Sequence, residues 1–98
     1  MEITDDLIKR LANAVRVKSA SAHDEIKDLV LACEVDLKIA GVYVTDYSES
    51  LTYQAIKLYC KAHYGYDKDS EKFALAYSAL KDSMALSGDY VKEVSADG

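Results

Sequence analysis

Cys60 and His63 are the residues of this chain whose types and spacing come nearest to those of a chemical site. They lie three residues apart in an apolar and aromatic run, so on a helix they would share a face and could both reach a metal ion. Cys33 and His23 would have to supply the remaining ligands from elsewhere in the chain. A structural zinc site normally has paired ligands on both sides, and only one such pair occurs here. We therefore predict no metal site and no cofactor.

A cysteine–histidine nucleophile is the second kind of chemistry that these side chains allow. Such a pair needs a base within hydrogen-bonding reach of the thiol and a third group that orients the base. The sequence around Cys60 suggests neither an orienting residue nor an oxyanion site. We predict that Cys33 and Cys60 are reduced thiols that pack in the interior, that there are no catalytic residues, and that the protein is not an enzyme.

Composition narrows the range of partners. The 98 residues include no proline and no tryptophan, and half of them are apolar, which is enough for the core of a single domain. The net charge of −5 opposes binding to a nucleic-acid backbone, because that affinity comes from Lys and Arg. There is no apolar run of the roughly 20 residues that span a bilayer, and the N-terminus lacks the pattern of a secretory signal. We expect synthesis in the cytoplasm and no membrane partner.

Apolar periodicity and capping residues predict four helices. Thr4 is expected to cap the first helix, and Ser21 the second, which should begin near residue 22 and end at Gly41. Residues 42–50 are rich in β-branched residues and tyrosine, which predicts a short extended segment or an ordered loop. The third helix is expected to end at Gly65. The expected caps of the last two helices are Ser48 or Ser50 for the third, and Asp69 or Ser70 for the fourth.

The core is expected to join helices two, three and four. The fold class predicted is all-α, a small bundle of four main helices formed by residues 1–85, with a flexible C-terminal tail formed by residues 86–98. The third helix is expected to turn Leu51, Ala55, Leu58, Tyr59 and Ala62 toward the core. Side chains expected to be buried together are Leu29, Cys33, Leu37, Leu58, Tyr59, Phe73, Tyr77 and Leu80.

Several short segments occur in an order that is typical of one family. They are Asp24-Glu25-Ile26-Lys27-Asp28-Leu29-Val30, Asp36-Leu37-Lys38-Ile39-Ala40-Gly41-Val42, Ala55-Ile56-Lys57-Leu58-Tyr59, Lys61-Ala62-His63-Tyr64-Gly65, Lys72-Phe73-Ala74-Leu75-Ala76-Tyr77-Ser78-Ala79-Leu80-Lys81 and Leu86-Ser87-Gly88-Asp89-Tyr90. In this order they resemble the head–tail connector (adaptor) proteins of long-tailed phages. None of the segments is a catalytic signature, so their joint order and spacing carry the resemblance. One departure is Glu49-Ser50, where such proteins often have an acid–proline pair.

The resemblance implies a structural role in the virion, at the interface between head and tail. Adaptor subunits form a ring, usually twelve-fold in the virion, beneath the portal protein. The ring joins the DNA-filled capsid to the stopper (tail-completion) protein and the tail, and DNA passes through it without specific binding. The alternative is a small prophage-encoded regulatory DNA-binding or antitoxin-like helical protein. Its recognition helix would have only Gln54, Lys57 and Lys61 to contact bases, and the acidic net charge counts against it.

Tyrosine supplies the candidate partner contacts. The chain has eight tyrosines and one phenylalanine, and tyrosine is enriched at protein interfaces. Residues 86–98 are expected to form a docking tail that a portal or an adjoining ring subunit orders; the alternative is an extension of helix four that folds back on the domain. The predicted interface residues are Tyr43, Tyr47, Tyr64, Tyr66, Leu86, Tyr90, Val91 and Val94.

Overall fold

Four helices make up most of the described chain. The computed structural model describes residues 3–16, 22–64 and 68–90. Within those ranges there is no strand, and the helices are α1 (Asp5–Ala14), α2 (Ala22–Ile39), α3 (Ser50–His63) and α4 (Ser70–Ser87). The helix α3 packs against each of the other three and most extensively against α4. The predicted all-α fold of four main helices is confirmed.

Local capping groups define two of the helix ends as the sequence predicts. The hydroxyl of Thr4 accepts a hydrogen bond of 3.1 Å from the backbone N–H of Leu7 at the start of α1. After α2, Gly41 has φ +89° and donates its N–H to the carbonyl of Lys38, while the N–H of Val42 reaches the carbonyl of Leu37. These two bonds form a Schellman motif. Val42 and Leu37, which hold the two positions that usually make the accompanying apolar contact, are both buried in the core.

The start of α3 differs from the prediction, because a glutamate and not a serine caps it. One carboxylate oxygen of Glu49 accepts a 2.7 Å hydrogen bond from the N–H of Leu51, and the other accepts one of 3.1 Å from the hydroxyl of Thr52. Ser48 instead donates hydrogen bonds from its backbone N–H and its hydroxyl to Asp46 Oδ1, two residues earlier in the loop. A carboxylate at this place also complements the positive end of the helix dipole. The predicted stop at Gly65 lies outside the described residues.

The core is built around α3, but by a face rotated from the predicted one. The side chains of α3 that are buried are Thr52, Ala55, Ile56 and Cys60, whereas Leu51 is 46% exposed. Thr52 could be placed inside because Glu49 satisfies its hydroxyl, which removes the usual penalty for burying a polar group.

The remaining core predictions hold in part. Cys33, Leu37 and Tyr77 are buried, and Leu29, Leu58, Tyr59 and Leu80 are partly buried against the same core. Phe73 is only partly buried. The core also includes α1 and the loop after α2, from which it takes Leu7, Ile8, Leu11, Val42 and Tyr47.

Candidate interaction surfaces

The two cysteines lie deep in the core and are poorly suited to chemistry. Both Cys33 on α2 and Cys60 on α3 are fully buried, and this burial raises the pKa of each thiol to about 12. Metal binding and nucleophilic attack both need the thiolate, so both are disfavoured near neutral pH. His63 is exposed, with its ring 4.2 Å from that of Tyr59. Among the described residues, no three His, Cys, Asp or Glu side chains come together as a metal site.

A polar cluster around Asp36 joins α2 to α4. The hydroxyl of Tyr77 donates to Asp36 Oδ2 at 2.5 Å, and Lys81 Nζ lies 3.0 Å from the same oxygen. Partial burial of Asp36 acts to raise its pKa, but the hydrogen bonds from Tyr77 and Lys81 outweigh that effect and hold the pKa below its usual value. Burial, followed by the bond to Asp36, raises the pKa of Tyr77. The cluster therefore orients two helices, and each of its polar groups already has a partner.

Tyr47, predicted as a partner contact, belongs to the core instead. Its side chain is only 6% exposed, and its hydroxyl donates to Glu34 Oε1 on α2 at 2.7 Å. The ring anchors the loop between α2 and α3 to α2 and is not available to another chain. The mixed character of tyrosine, which suits an interface, suits the edge of a core equally well.

Tyr90 is the second predicted interface residue whose contacts lie within the chain. Its hydroxyl donates to Glu49 Oε1 at 2.5 Å, its ring packs on the core, and its carbonyl accepts the N–H of Tyr43 at 2.7 Å. Burial and the bond to Glu49 raise the pKa of Tyr90 to about 12, while this bond leads the effects that lower the pKa of Glu49. Residues up to Tyr90 thus fold back on the domain, as in the alternative reading of the tail.

The other predicted interface residues fall into three groups. Tyr43 and Tyr64 are partly buried, and Tyr64 packs against the core. Leu86, in the last turn of α4, is 87% exposed. The residues Tyr66, Val91 and Val94 lie outside the described part of the chain. Of the eight predicted residues, Leu86 is therefore the one that the described chain presents as a large exposed apolar side chain.

Three basic residues of α1 and α3 lie against aromatic rings. Arg10 stacks over the ring of Tyr53 with its guanidinium carbon 4.1 Å from the ring centre, and Lys57 approaches the same ring at 5.7 Å. Lys61 lies 5.0 Å from the ring centre of Phe73. Cation–π contacts of this kind hold the cations close to the protein surface.

Two exposed apolar faces are the main surface features, and of their residues the sequence prediction included only Leu86. The α2 outer face consists of Leu31, Val35 and Ile39, which are 46%, 56% and 80% exposed. The α4 outer face consists of Leu75, Ala79 and Leu86, all exposed, with Leu75 at 68%. The spacing of four residues between Leu31, Val35 and Ile39 is visible in the sequence. The opposite, core-facing side of the same helix has a stronger apolar pattern, and the sequence prediction followed that pattern.

Comparison with known proteins adds no relative: no family model, no curated protein and no solved structure matches the chain. Within the described ranges, none of the helices has the length and apolar character needed to cross a membrane. What this chain binds is therefore inferred from its own surfaces.

Proposed function

We propose that this chain is a non-enzymatic structural protein of a phage virion, a head–tail adaptor. It would assemble as a ring beneath the portal, join the DNA-filled capsid to the stopper and tail, and let the genome pass. The ordered series of segments that resembles the adaptor family suggests the role. The observation that carries the proposal is the pair of exposed apolar faces on α2 and α4, since large apolar side chains grouped on an exposed helix face are typical of sites of association.

The chemistry of the interior supports a structural role over a catalytic one. The thiols of Cys33 and Cys60 stay protonated at neutral pH and well above it. Asp36 accepts hydrogen bonds from both Tyr77 and Lys81. The acidic chain also suits a channel for DNA, because a surface without a net positive charge gives no counterion-release drive for holding the duplex.

The native mass of the purified chain, measured with and without the portal ring encoded in the same genome, tests this proposal. We expect a stoichiometric complex on the portal ring, with a subunit number that matches ring symmetry. Failure to bind the portal ring at any soluble concentration would contradict the proposal. Sequence-selective duplex binding at sub-micromolar concentration in a gel-shift assay would instead favour the regulatory alternative.

A further inference from the structure

We infer that the two outer faces are the two halves of one subunit contact: the α2 outer face of one copy packs against the α4 outer face of a second copy, with the two helices parallel. This inference deepens the proposed function, on which it rests for its biological setting, because it assigns the contacts between ring subunits. The occupant of each face is thus another copy of this chain.

The first support is the position of the apolar residues on α2. Ile26, Val30 and Leu37 face the core and are fully buried, whereas the α2 outer face lies on the opposite side of the helix. Residues four apart lie above one another on a helix, so the α2 outer face forms one line about 12 Å long at 1.5 Å per residue. Apolar residues on both sides of a helix are typical of a helix that is buried on both sides. Within the described part of the chain, one side of α2 is covered and the α2 outer face is exposed.

The α4 outer face has a matching form. Tyr77 and Met84 face the core, while Leu75, Ala79 and Leu86 lie on the side turned away from it. These three residues cover about 16 Å of the helix, which is similar to the length of the α2 outer face. Large side chains on α2 would meet the small side chain of Ala79 near the middle of this face, as close helix packing requires.

Charges at the ends of the two faces select the partner and its direction. On α2, Asp24 and Asp28 precede the apolar line and Lys38 lies near its end. Along α4 and the turn before it the order is reversed: Lys68 in the turn and Lys72 on the helix come first and Asp82 comes later. All six of these residues are exposed. The spacing also agrees, because Asp28 to Lys38 and Lys72 to Asp82 are both ten residues, or about 15 Å of helix.

Only the parallel arrangement uses this complementarity. With parallel helices, the acidic end of α2 meets the basic end of α4, and Lys38 lies at the level of Asp82. With antiparallel helices, Lys38 would lie near Lys72 and Asp28 near Asp82, and such like-charge contacts at an interface suppress the arrangement. Two copies of α2 placed side by side in parallel would likewise bring acids next to acids. The charges therefore fix the direction of a contact between the α2 and α4 outer faces as parallel. Two identical α2 faces would be complementary only in an antiparallel, two-fold arrangement, which closes as a dimer and gives no ring.

The fold makes such a contact repeatable around a ring. Within one chain, Cys33 contacts Tyr77, while Asp36, one turn later on α2, contacts both Tyr77 and Lys81, one turn later on α4. We infer from this order of contacts that the two helices run in one direction. A rotation about an axis along these helices keeps α2 of one copy parallel to α4 of the next. A contact between two different faces leaves one free face at each end of a pair, so it can continue, and it forms a ring where the rotation between subunits closes.

A mixing experiment with two face variants tests the inference. Val35→Asp disables the α2 outer face and Leu75→Asp disables the α4 outer face; both side chains are exposed, and circular dichroism checks that each variant keeps its helices. We expect the wild-type chain to form species larger than the 10.8 kDa monomer and each variant alone to be monomeric. An equimolar mixture should form a dimer and stop there, because each variant retains one intact face. Leu51→Asp is the matched control: Leu51 is 46% exposed, as is Leu31, but lies on α3 outside both faces, so this variant should assemble like the wild type.

A charge exchange tests the direction of packing. Asp28→Lys and Lys72→Asp should each weaken self-association by about fivefold, near the upper end for an exposed pair, and the double variant should recover most of the loss. In the mixing experiment, three results overturn the inference: the mixture of face variants remains monomeric, either face variant assembles like the wild type, or the wild type is monomeric at its highest soluble concentration. In the charge exchange, the inference is overturned if the double variant associates more weakly than both single variants. Rings that bind the portal normally despite Val35→Asp would refute these contacts and leave the proposed function standing. Assembly through these faces without portal binding would refute the proposed function alone.

Discussion

The rotated face of α3 gives the sharpest stability test, a comparison of Ile56→Ala with Leu58→Ala. Both changes remove three carbon atoms, but the Ile56 side chain is 1% exposed whereas Leu58 is only partly buried. Removing three buried carbons loses about 2.4 kcal/mol of transfer free energy, and the cavity left behind raises the cost to about 3 to 4 kcal/mol for Ile56. For Leu58, part of the removed surface already contacts water, so we expect about 1 to 1.5 kcal/mol.

Urea denaturation followed by circular dichroism measures both values. A domain of this size has a total stability of about 5 to 15 kcal/mol, so Ile56→Ala removes a large share of it. The melting temperature should fall by roughly 12 °C or more for Ile56→Ala and by less than about half of that for Leu58→Ala. The slope of free energy against urea should stay the same, which would show that both variants still unfold in two states.

Which of the two variants loses more stability shows which face of α3 is buried. If Leu58→Ala is as costly as Ile56→Ala or more so, then α3 presents the face predicted from the sequence and the burial described here is wrong. Leu51→Ala serves as a reference on the same helix, because that side chain is 46% exposed and its truncation should change stability little.

Three further outcomes follow from the structure. Gly41→Ala should lower the free energy of unfolding by about 1 to 2 kcal/mol, because the φ of +89° is unfavourable for alanine. No atom lies within 4 Å of the added carbon, so the cost comes from the backbone alone. An unchanged midpoint of urea denaturation would refute the Schellman cap. Tyr90→Phe and Glu49→Ala should show a coupling free energy of about 1 kcal/mol in a double-mutant cycle, and additive effects would show that their hydrogen bond contributes nothing. The free energy of unfolding should fall as pH rises from 9 toward 12, because the raised pKa values of Cys33 and Cys60 leave the folded chain with more bound protons than the unfolded one. The slope is about 1.4 kcal/mol per pH unit for each thiol. A double variant with Cys33→Ala and Cys60→Ala should show a flatter dependence of stability on pH.

Local signals explain why the start of α1 and the end of α2 could be predicted. Thr4 and Gly41 act on backbone groups within a few residues of themselves, so the sequence alone defines their role. The cap of α3 was mispredicted because Ser48, Glu49 and Ser50 are all plausible capping residues next to one another. Glu49, which caps the helix, also accepts a hydrogen bond from Tyr90, forty-one residues further along the chain, and the sequence does not reveal this contact.

Tertiary contacts explain the positions that were predicted wrongly or missed. By residue type Thr52 is expected at the surface, but it is buried because Glu49 accepts the hydrogen bond of its hydroxyl. Tyr47 was predicted at an interface, but it is buried with its hydroxyl bonded to Glu34. On α2, both sides of the helix are apolar, so periodicity identifies a helix without saying which side the chain itself covers. The exposure of Val35 and Ile39 therefore became visible only with the fold.

The connectivity of the four helices has a consequence for how fast subunits become ready to assemble. Each helix packs against its neighbour in sequence, so many of the contacts between elements close short stretches of chain. Domains built from such local contacts fold on the microsecond to millisecond timescale. The chain also contains no proline, so the slow isomerisation that delays the refolding of many proteins by tens of seconds has no substrate here. A newly made subunit should thus reach its folded form well before it meets a second copy, and encounter between subunits should limit the rate of assembly.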